Sequence, residues 1–328
     1  MGKKDISVNR WLSDKERFAD LFNGSLFEGR QFIDPQKLTR LPIEQKRIIN
    51  TIEGKKIPVE YFRDIIMFSE QDKKLCILAC ETQNKEHYAM VIRGMLYDSL
   101  SYMEQVQNIA KENREKKKYQ NSEEFLSGIR KEDTLVPIIT IVLFYGEEWR
   151  GSKDLYGLLG LDEETEKIFS PYITNYKINL IEPAKIADLS CYKSDLQYVF
   201  NVIQCKKDKE KLKRYIEENK EFFSEVSEET YDAICAFINA EKLLENHKKD
   251  DMTGGIDMCQ ALEEIYQDGI KDGIKTGIKD GMKVGLDKGI RSLVRACRDL
   301  GESTEGIIVR VSREYSLTEE EATEYVGK

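Results

Sequence analysis

The stretch Tyr61–Gln83, YFRDIIMFSEQDKKLCILACETQ, decides how the rest of the chain is read. Two strand-like runs flank a polar turn, Ser69-Glu70-Gln71-Asp72-Lys73. Strand side chains alternate faces, so Phe62, Asp64, Ile66 and Phe68 share one face of the first run. Leu75, Ile77, Ala79, Glu81 and Gln83 share one face of the second. Leu75 to Cys80 is apolar on both faces, as expected of a strand buried between two layers. The run then switches abruptly to Glu81-Thr82-Gln83. A carboxylate at the end of a buried strand, with another on the neighbouring strand, is the arrangement that holds a hard divalent cation. Two other uses of these groups stand beside that one. Asp64 can pair with Arg63 or a surface lysine, and Glu81 can cap the helix that follows.

Composition narrows the chemistry. With 328 residues, 40% hydrophobic and 34% charged, the chain has material for one large or two modest domains under a very polar exterior. Its longest apolar runs, Leu75 to Cys80 and Ile138 to Tyr145, fall far short of the roughly 20 residues of a membrane span. The N-terminal MGKKDISVNRW lacks the apolar centre of a secretion signal. Seven scattered cysteines without a Cys-x-x-Cys motif read as buried free thiols in a reducing cytoplasm. Only His87 and His247 are available as histidines, so catalysis would fall to carboxylates. A net charge of −9 weighs against non-specific nucleic-acid binding, although a local basic patch can operate within an acidic chain.

Along the chain, Arg10 to Asn23 reads as an amphipathic helix with Ser13 as N-cap, Glu16 as its capping-box partner, and Asn23-Gly24 as its end. Phe27 to Gly54 reads as a connector with a short helix near Glu44 to Asn50. His87 to Gln107 is the strongest helical pattern. Val91, Ile92, Met95, Leu96, Leu100, Met103 and Val106 form a stripe that should pack on the sheet, with Arg93, Tyr97 and Gln105 beside it. Lys116-Lys117-Lys118 reads as a solvated charge run. Leu135 to Tyr145 is a buried strand, Trp149 a lid or edge residue, and Ile173 to Ile181 a further strand. Together these give an α/β (α+β) fold, a mixed central sheet flanked by helices with a helical crossover.

The expected divisions are a core over 9–190, a helical subdomain over 191–250, a repeat over 251–290 and a helical module over 291–328. In the repeat a glycine recurs every fourth residue from Gly269 to Gly289. At 3.6 residues per turn the glycine row drifts about 40° per step. Six glycines cost a helix roughly 5–6 kcal/mol against alanine. Self-association through closely packed backbones and a length-variable linker are equal readings. In the last segment Thr318 is the N-cap of a helix too acidic for a DNA groove, which favours a helical hairpin.

Three strings carry a resemblance. They are RDIIMF (63–68), ILACETQNKEHYAMVIRGMLYDSLSYMEQV (77–106) and EFLSGIRKEDTLVPIITIVLFYG (124–146). In this order they resemble the Rpn family of recombination-promoting nucleases, often described as transposases, within the PD-(D/E)XK superfamily. The likeness covers roughly Asn9 to Lys213, and the glycine-repeat tail is similar too. It implies a restriction-endonuclease-like core and a cytoplasmic, magnesium-dependent DNA endonuclease, with manganese as a substitute. Asp64 and Glu81 match the metal-binding acids. Gln83 stands where the superfamily most often has lysine, as it does in the Rpn group. Glutamine orients water by hydrogen bonds only, so the metal would carry more of the activation. Similar nucleases place a first-helix acid near the metal. Asp20 is the best match, with Asp14 and Glu16 competing. Arg93, Tyr97 and Gln105 fit family positions at the site or against phosphate, and Arg93 is favoured because a guanidinium suits bidentate oxygen recognition. The implied partner is DNA, with no membrane; a second copy of the chain is a partner only under the self-association reading of the glycine-repeat helix. The other class of function is a non-catalytic DNA-associated or protein-interaction module on the same scaffold.

Overall fold

The computed structural model describes residues 3–42, 44–50, 56–71, 74–238 and 255–327. The expected turn residues Asp72 and Lys73, residues 51–54 of the connector, residues 239–250 of the helical subdomain and residues 251–254 of the repeat lie outside that set. The first described elements are helices α1 (Lys3–Leu12) and α2 (Lys15–Leu26), then strands β1 (Leu38–Arg40), β2 (Glu44–Asn50), β3 (Lys56–Phe62), β4 (Ile65–Gln71) and β5 (Lys74–Gln83). Helices α3 (Met90–Glu115) and α4 (Ser122–Ser127), strand β6 (Ile138–Phe144), helices α5 (Leu155–Leu159) and α6 (Glu163–Phe169), and strand β7 (Asn179–Ile181) follow. The remainder is helical: α7 (Leu196–Cys205), α8 (Lys209–Glu218), α9 (Lys220–Phe223), α10 (Glu228–Phe237), α11 (Met258–Asp299), α12 (Thr304–Tyr315) and α13 (Glu319–Gly327).

The fold is mixed α/β, built on a five-stranded sheet of order β1-β4-β5-β6-β7. β1, β4 and β5 run antiparallel, whereas β5, β6 and β7 run parallel. The 26-residue α3 supplies the long crossover that a parallel pair requires. Leu78, Ala79 and Cys80 of β5 and Ile141 and Leu143 of β6 are fully buried, which is why these runs are apolar on both faces. Each large apolar side chain there contributes roughly 1.5–3 kcal/mol.

Several expectations change against this frame. Glu44–Asn50 is a strand, paired with β3 from Glu44↔Phe62 to Asn50↔Lys56; cross-strand pairing overrides the helix propensity of Glu-Gln-Lys-Arg. The run expected as one strand from Tyr61 is broken, because Arg63 and Asp64 form a bend between β3 and β4. The first amphipathic helix is two helices. Asp14, not Ser13, caps α2 by accepting from the amides of Glu16 and Arg17. Asn23 does not end α2; its amide is turned inward onto Ile33, accepting from the backbone N–H at 2.8 Å and donating to the carbonyl at 2.9 Å.

The apolar stripe of α3 does not all face the sheet, since Ile92, Leu96 and Met103 are exposed. The inward face carries Arg93, Asp98, Tyr102 and Gln105 instead, because buried polar groups at the sheet ends require partners there. Trp149 is buried against Phe144 at 5.2 Å rather than at an edge. The strand expected over 173–181 shortens to β7. Lys116 and Lys118 both bond Glu112.

Residues Met1–Cys259 form one compact unit and Gln260–Lys328 another. The described helices of the subdomain expected over 191–250 fall in the first unit, with the sheet. Asp195 ties them in, accepting from Trp11 Nε1, Arg17 Nε and Thr230 Oγ1. Trp11 and Tyr145 both meet the Phe237 ring edge-on, at 5.7 and 5.0 Å. In the second unit α11 runs unbroken past residue 290. Its end packs with α12 and α13 around Ile290, Val294, Cys297, Ile307, Val311, Ala322 and Val326. Thr318 caps α13 as expected, with Glu321 bonding back to its amide. Among the described residues no helix is long and apolar enough to cross a membrane.

Candidate functional site

The β4–β5 register pairs Ile65 with Cys80 and Ile66 with Ala79. Continued by one residue, it sets Asp64 opposite Glu81. Asp64 leaves the strand at the bend, and its Oδ2 accepts from the Thr82 amide at 2.8 Å. The Thr82 hydroxyl lies 2.7 Å from Asn9 Oδ1 and 3.2 Å from the same Asp64 oxygen. Its single proton can serve one of them, and Asn9 is nearer. Among the described residues Asp64 bonds Thr82 and makes no ion pair with Arg63 or a lysine, and the Glu81 side chain bonds Arg93 rather than capping a helix start.

Glu81 is completely buried. Its Oε2 accepts from Arg93 Nη2 at 3.0 Å, and its Oε1 is buried with no hydrogen-bond partner among the described residues. Burial, reinforced by the Asp64 charge, pushes the Glu81 carboxyl up to about 8, against the pull of Arg93 and Arg63. Burial also raises Asp64, against the Thr82 amide and Arg93. Burial opposes the charge on Arg93, but Glu81 and Tyr97 outweigh it and raise that group. Arg93 Nε donates to the Tyr97 hydroxyl at 3.1 Å. The Tyr97 ring lies 5.2 Å from the Arg93 guanidinium and 5.6 Å from that of Arg63.

The sequence candidates divide clearly. Asp64, Glu81, Arg93 and Tyr97 come together. Gln83 ends the same strand, where its carbonyl accepts from the Tyr145 amide at 3.1 Å. Gln105 clamps the entry to β6, accepting from the Val136 amide and donating to its carbonyl. Asp20 instead holds the turn before α7, where it accepts from the amides of Lys193 and Ser194 and from the Ser194 hydroxyl at 2.6 Å. A carboxylate so occupied is a turn anchor rather than a metal ligand. Asp14 is a helix cap, and Glu16 is exposed.

The first-helix acid that reaches the site is Asp5. Its charge raises Asp64, and its carboxylate accepts from the Tyr145 hydroxyl at 2.9 Å. Asp5 and Asn9 lie one helical turn apart in α1, a pairing visible in the sequence only if the helix is begun at Lys3. The second missed feature is a buried network one turn farther along α3. Arg63 donates to Asp98 at 2.7 Å and to Thr140 at 2.9 Å, and Tyr176 donates to Asp98 at 2.7 Å.

The acids suit a hard divalent cation. They offer oxygen donors, the two carboxylates are close enough for the Asp64 charge to raise Glu81, and one buried oxygen lacks a partner among the described residues. Among the described residues no three His, Cys, Asp or Glu side chains converge as a complete cage. An ion there would draw its other ligands from water or substrate, as magnesium commonly does. The chain matches no family model, no curated protein and no solved structure.

Proposed function

We propose that this chain is a divalent-cation-dependent DNA endonuclease with a restriction-endonuclease-like core, of the kind the Rpn resemblance implies. The observation that carries the reading is the buried, unpartnered Oε1 of Glu81 beside Asp64. Asp64 and Glu81 would hold magnesium, or manganese in its place. The metal would supply Lewis acidity, polarising a phosphodiester and making hydroxide available near neutral pH.

The protein's own groups have separable tasks. Thr82 fixes Asp64 through its amide. Tyr97 holds Arg93, whose remaining guanidinium donors are suited to a phosphate oxygen. Gln83, at the strand end, would orient water by hydrogen bonds. Asp5 adds negative charge within reach of Asp64. Seven unpaired cysteines are in keeping with work in a reducing cytoplasm. A role in recombination or in mobile-element and phage-related processes follows from the resemblance alone.

One observation favours the non-catalytic alternative. Arg93 occupies one Glu81 oxygen within the protein, as a scaffold that has lost its metal would arrange. Plasmid nicking separates the two readings, with magnesium, with EDTA, and with Asp64→Ala and Glu81→Ala proteins. Magnesium-dependent cutting lost in both variants supports the enzyme. An inactive wild type that binds no manganese supports the scaffold.

A further inference from the structure

Between α3, β6 and the segment entering β7 lies an open cavity of about 360 Å³. Its walls include Asp98, Ser99 and Tyr102 on one side and Tyr176, Lys177 and Asn179 on the other. Both tyrosines are pinned by their hydroxyls. Tyr102 accepts from the Ile138 amide at 3.1 Å, which leaves its own proton to donate. Tyr176 donates to Asp98 at 2.7 Å. Gly94 permits that approach, since a Cβ there would sit 3.2 Å from the Tyr176 oxygen. Rings fixed before a ligand arrives lose little freedom on binding it.

The polar groups define the ligand further. The Asp98 charge is already met by Arg63, Thr140 and Tyr176. Asn179 donates its Nδ2 to the Thr140 carbonyl at 2.9 Å, leaving its amide oxygen as a neutral acceptor. Ser99 and Lys177 are exposed, and among the described residues their side chains make no hydrogen bond or ion pair. The cavity therefore has two aromatic walls, a neutral acceptor, two hydroxyls and one cation. This set suits a flat, uncharged ring that both donates and accepts, joined to an anion. Its position connects it to the acids. Ser99 and Tyr102 lie six and nine residues beyond Arg93, or about 9–14 Å along the same helix. The Arg63–Asp98 pair lies within electrostatic range of Glu81.

We propose that this cavity takes an unpaired nucleobase of the strand that Asp64 and Glu81 act on, bordered by Tyr102 and Tyr176, with Lys177 against the backbone phosphate. The proposal rests on the nuclease reading and narrows it: the substrate is single-stranded DNA, or duplex opened at one base.

The test uses the full chain in calcium with end-labelled DNA followed by anisotropy, and 2-aminopurine in the strand to report on base stacking. Wild type should bind the single strand about tenfold more tightly than a duplex of the same sequence, and 2-aminopurine emission should change on binding. Ser99→Trp, at an exposed helical position, fills the cavity and should weaken single-strand binding about tenfold with little effect on duplex. Lys177→Ala removes only an exposed cation and should weaken single-strand binding severalfold. DNA binding that is equally tight in both variants, with unchanged 2-aminopurine emission, overturns the cavity while leaving the nuclease intact. A wild type that neither binds nor cuts DNA overturns both.

Discussion

Replacing Glu81 by glutamine should remove most of the pH dependence of this protein's stability. An unfolded glutamate loses its proton near 4.5, whereas the buried carboxyl holds its proton to about 8. Between those values the folded state binds more protons than the unfolded state, so stability falls as pH rises. Integrating the two titrations from pH 5 to pH 8 gives a loss of about 3–4 kcal/mol from this one group. Asp64, also raised by burial, adds to the loss with the same sign. Glu81→Gln keeps the shape and cannot ionise. Its stability should therefore be much flatter with pH, and at pH 8 it should exceed the wild type. Urea unfolding in EDTA at pH 5, 6.5 and 8 measures this. Trp11 and Trp149 are the only tryptophans, and both are buried in the sheet-bearing unit, so their fluorescence reports on that unit alone. Magnesium should raise the wild-type midpoint at pH 8 far more than at pH 5, because the cation competes with the proton. Midpoints of wild type and variant that move in parallel with pH would refute the reasoning.

Other substitutions separate anchoring from chemistry. Asp20→Ala strands the amides of Lys193 and Ser194; it should destabilise by about 2–4 kcal/mol in urea yet leave manganese affinity by calorimetry unchanged. Asp195→Ala leaves the largely buried Arg17 without its partner and should cost about 3–5 kcal/mol by the same unfolding assay. In the second unit a Cβ added at Gly277, Gly281 or Gly285 meets nothing within 4 Å. The triple alanine variant should gain helicity by circular dichroism, at roughly 1 kcal/mol per site. Loss of an oligomer in that variant, seen by light scattering, would favour close packing between copies, and an unchanged assembly would favour the linker. Gly289→Ala differs, because its Cβ would sit 2.8 Å from the Tyr315 hydroxyl, so the tip of that side chain must shift to admit it.

The legible parts of the fold were those that local chemistry determines. The apolar runs of β5 and β6 have no other stable home than a sheet centre, and the Thr318 cap announces α13 by its own side-chain geometry. The antiparallel pairing of the two runs beside Asp64 and Glu81 followed from alternation and a short turn, although the strand breaks at Arg63-Asp64. What the sequence concealed was determined at a distance. Glu44–Asn50 has helix-forming residues and becomes a strand only because Lys56–Phe62 pairs with it. The α3 periodicity gave the helix but not its orientation, which depends on where Glu81, Arg63 and Thr140 need partners. Asp20 anchors a turn and Asp5 lies within electrostatic range of Asp64 for the same reason. Which acid approaches a site depends on how α1 and α2 are broken and packed, and no spacing within Arg10–Asn23 encodes that.

Two buried ion pairs flank Tyr97, and the contrast between them is informative. In the Arg63–Asp98 pair both carboxylate oxygens are satisfied, by the guanidinium, the Thr140 hydroxyl and the Tyr176 hydroxyl. Arg63 Nε is itself buried without a partner among the described residues, so the carboxylate side of this pair is complete and the guanidinium side is not. The Arg93–Glu81 pair gives one oxygen a single donor and leaves the other bare in a drier environment. An unpartnered buried acceptor costs about 1–3 kcal/mol. The same helix and the same sheet supply hydroxyl donors to one carboxylate and withhold them from the other. The acid left incomplete is the one with Asp64 opposite it, the position where an added cation would find two carboxylates and an added proton would find only one. If the proposed cation binds there, stability lost at Glu81 in the metal-free protein would be the counterpart of its affinity, and the wild-type response to magnesium at high pH would measure both together.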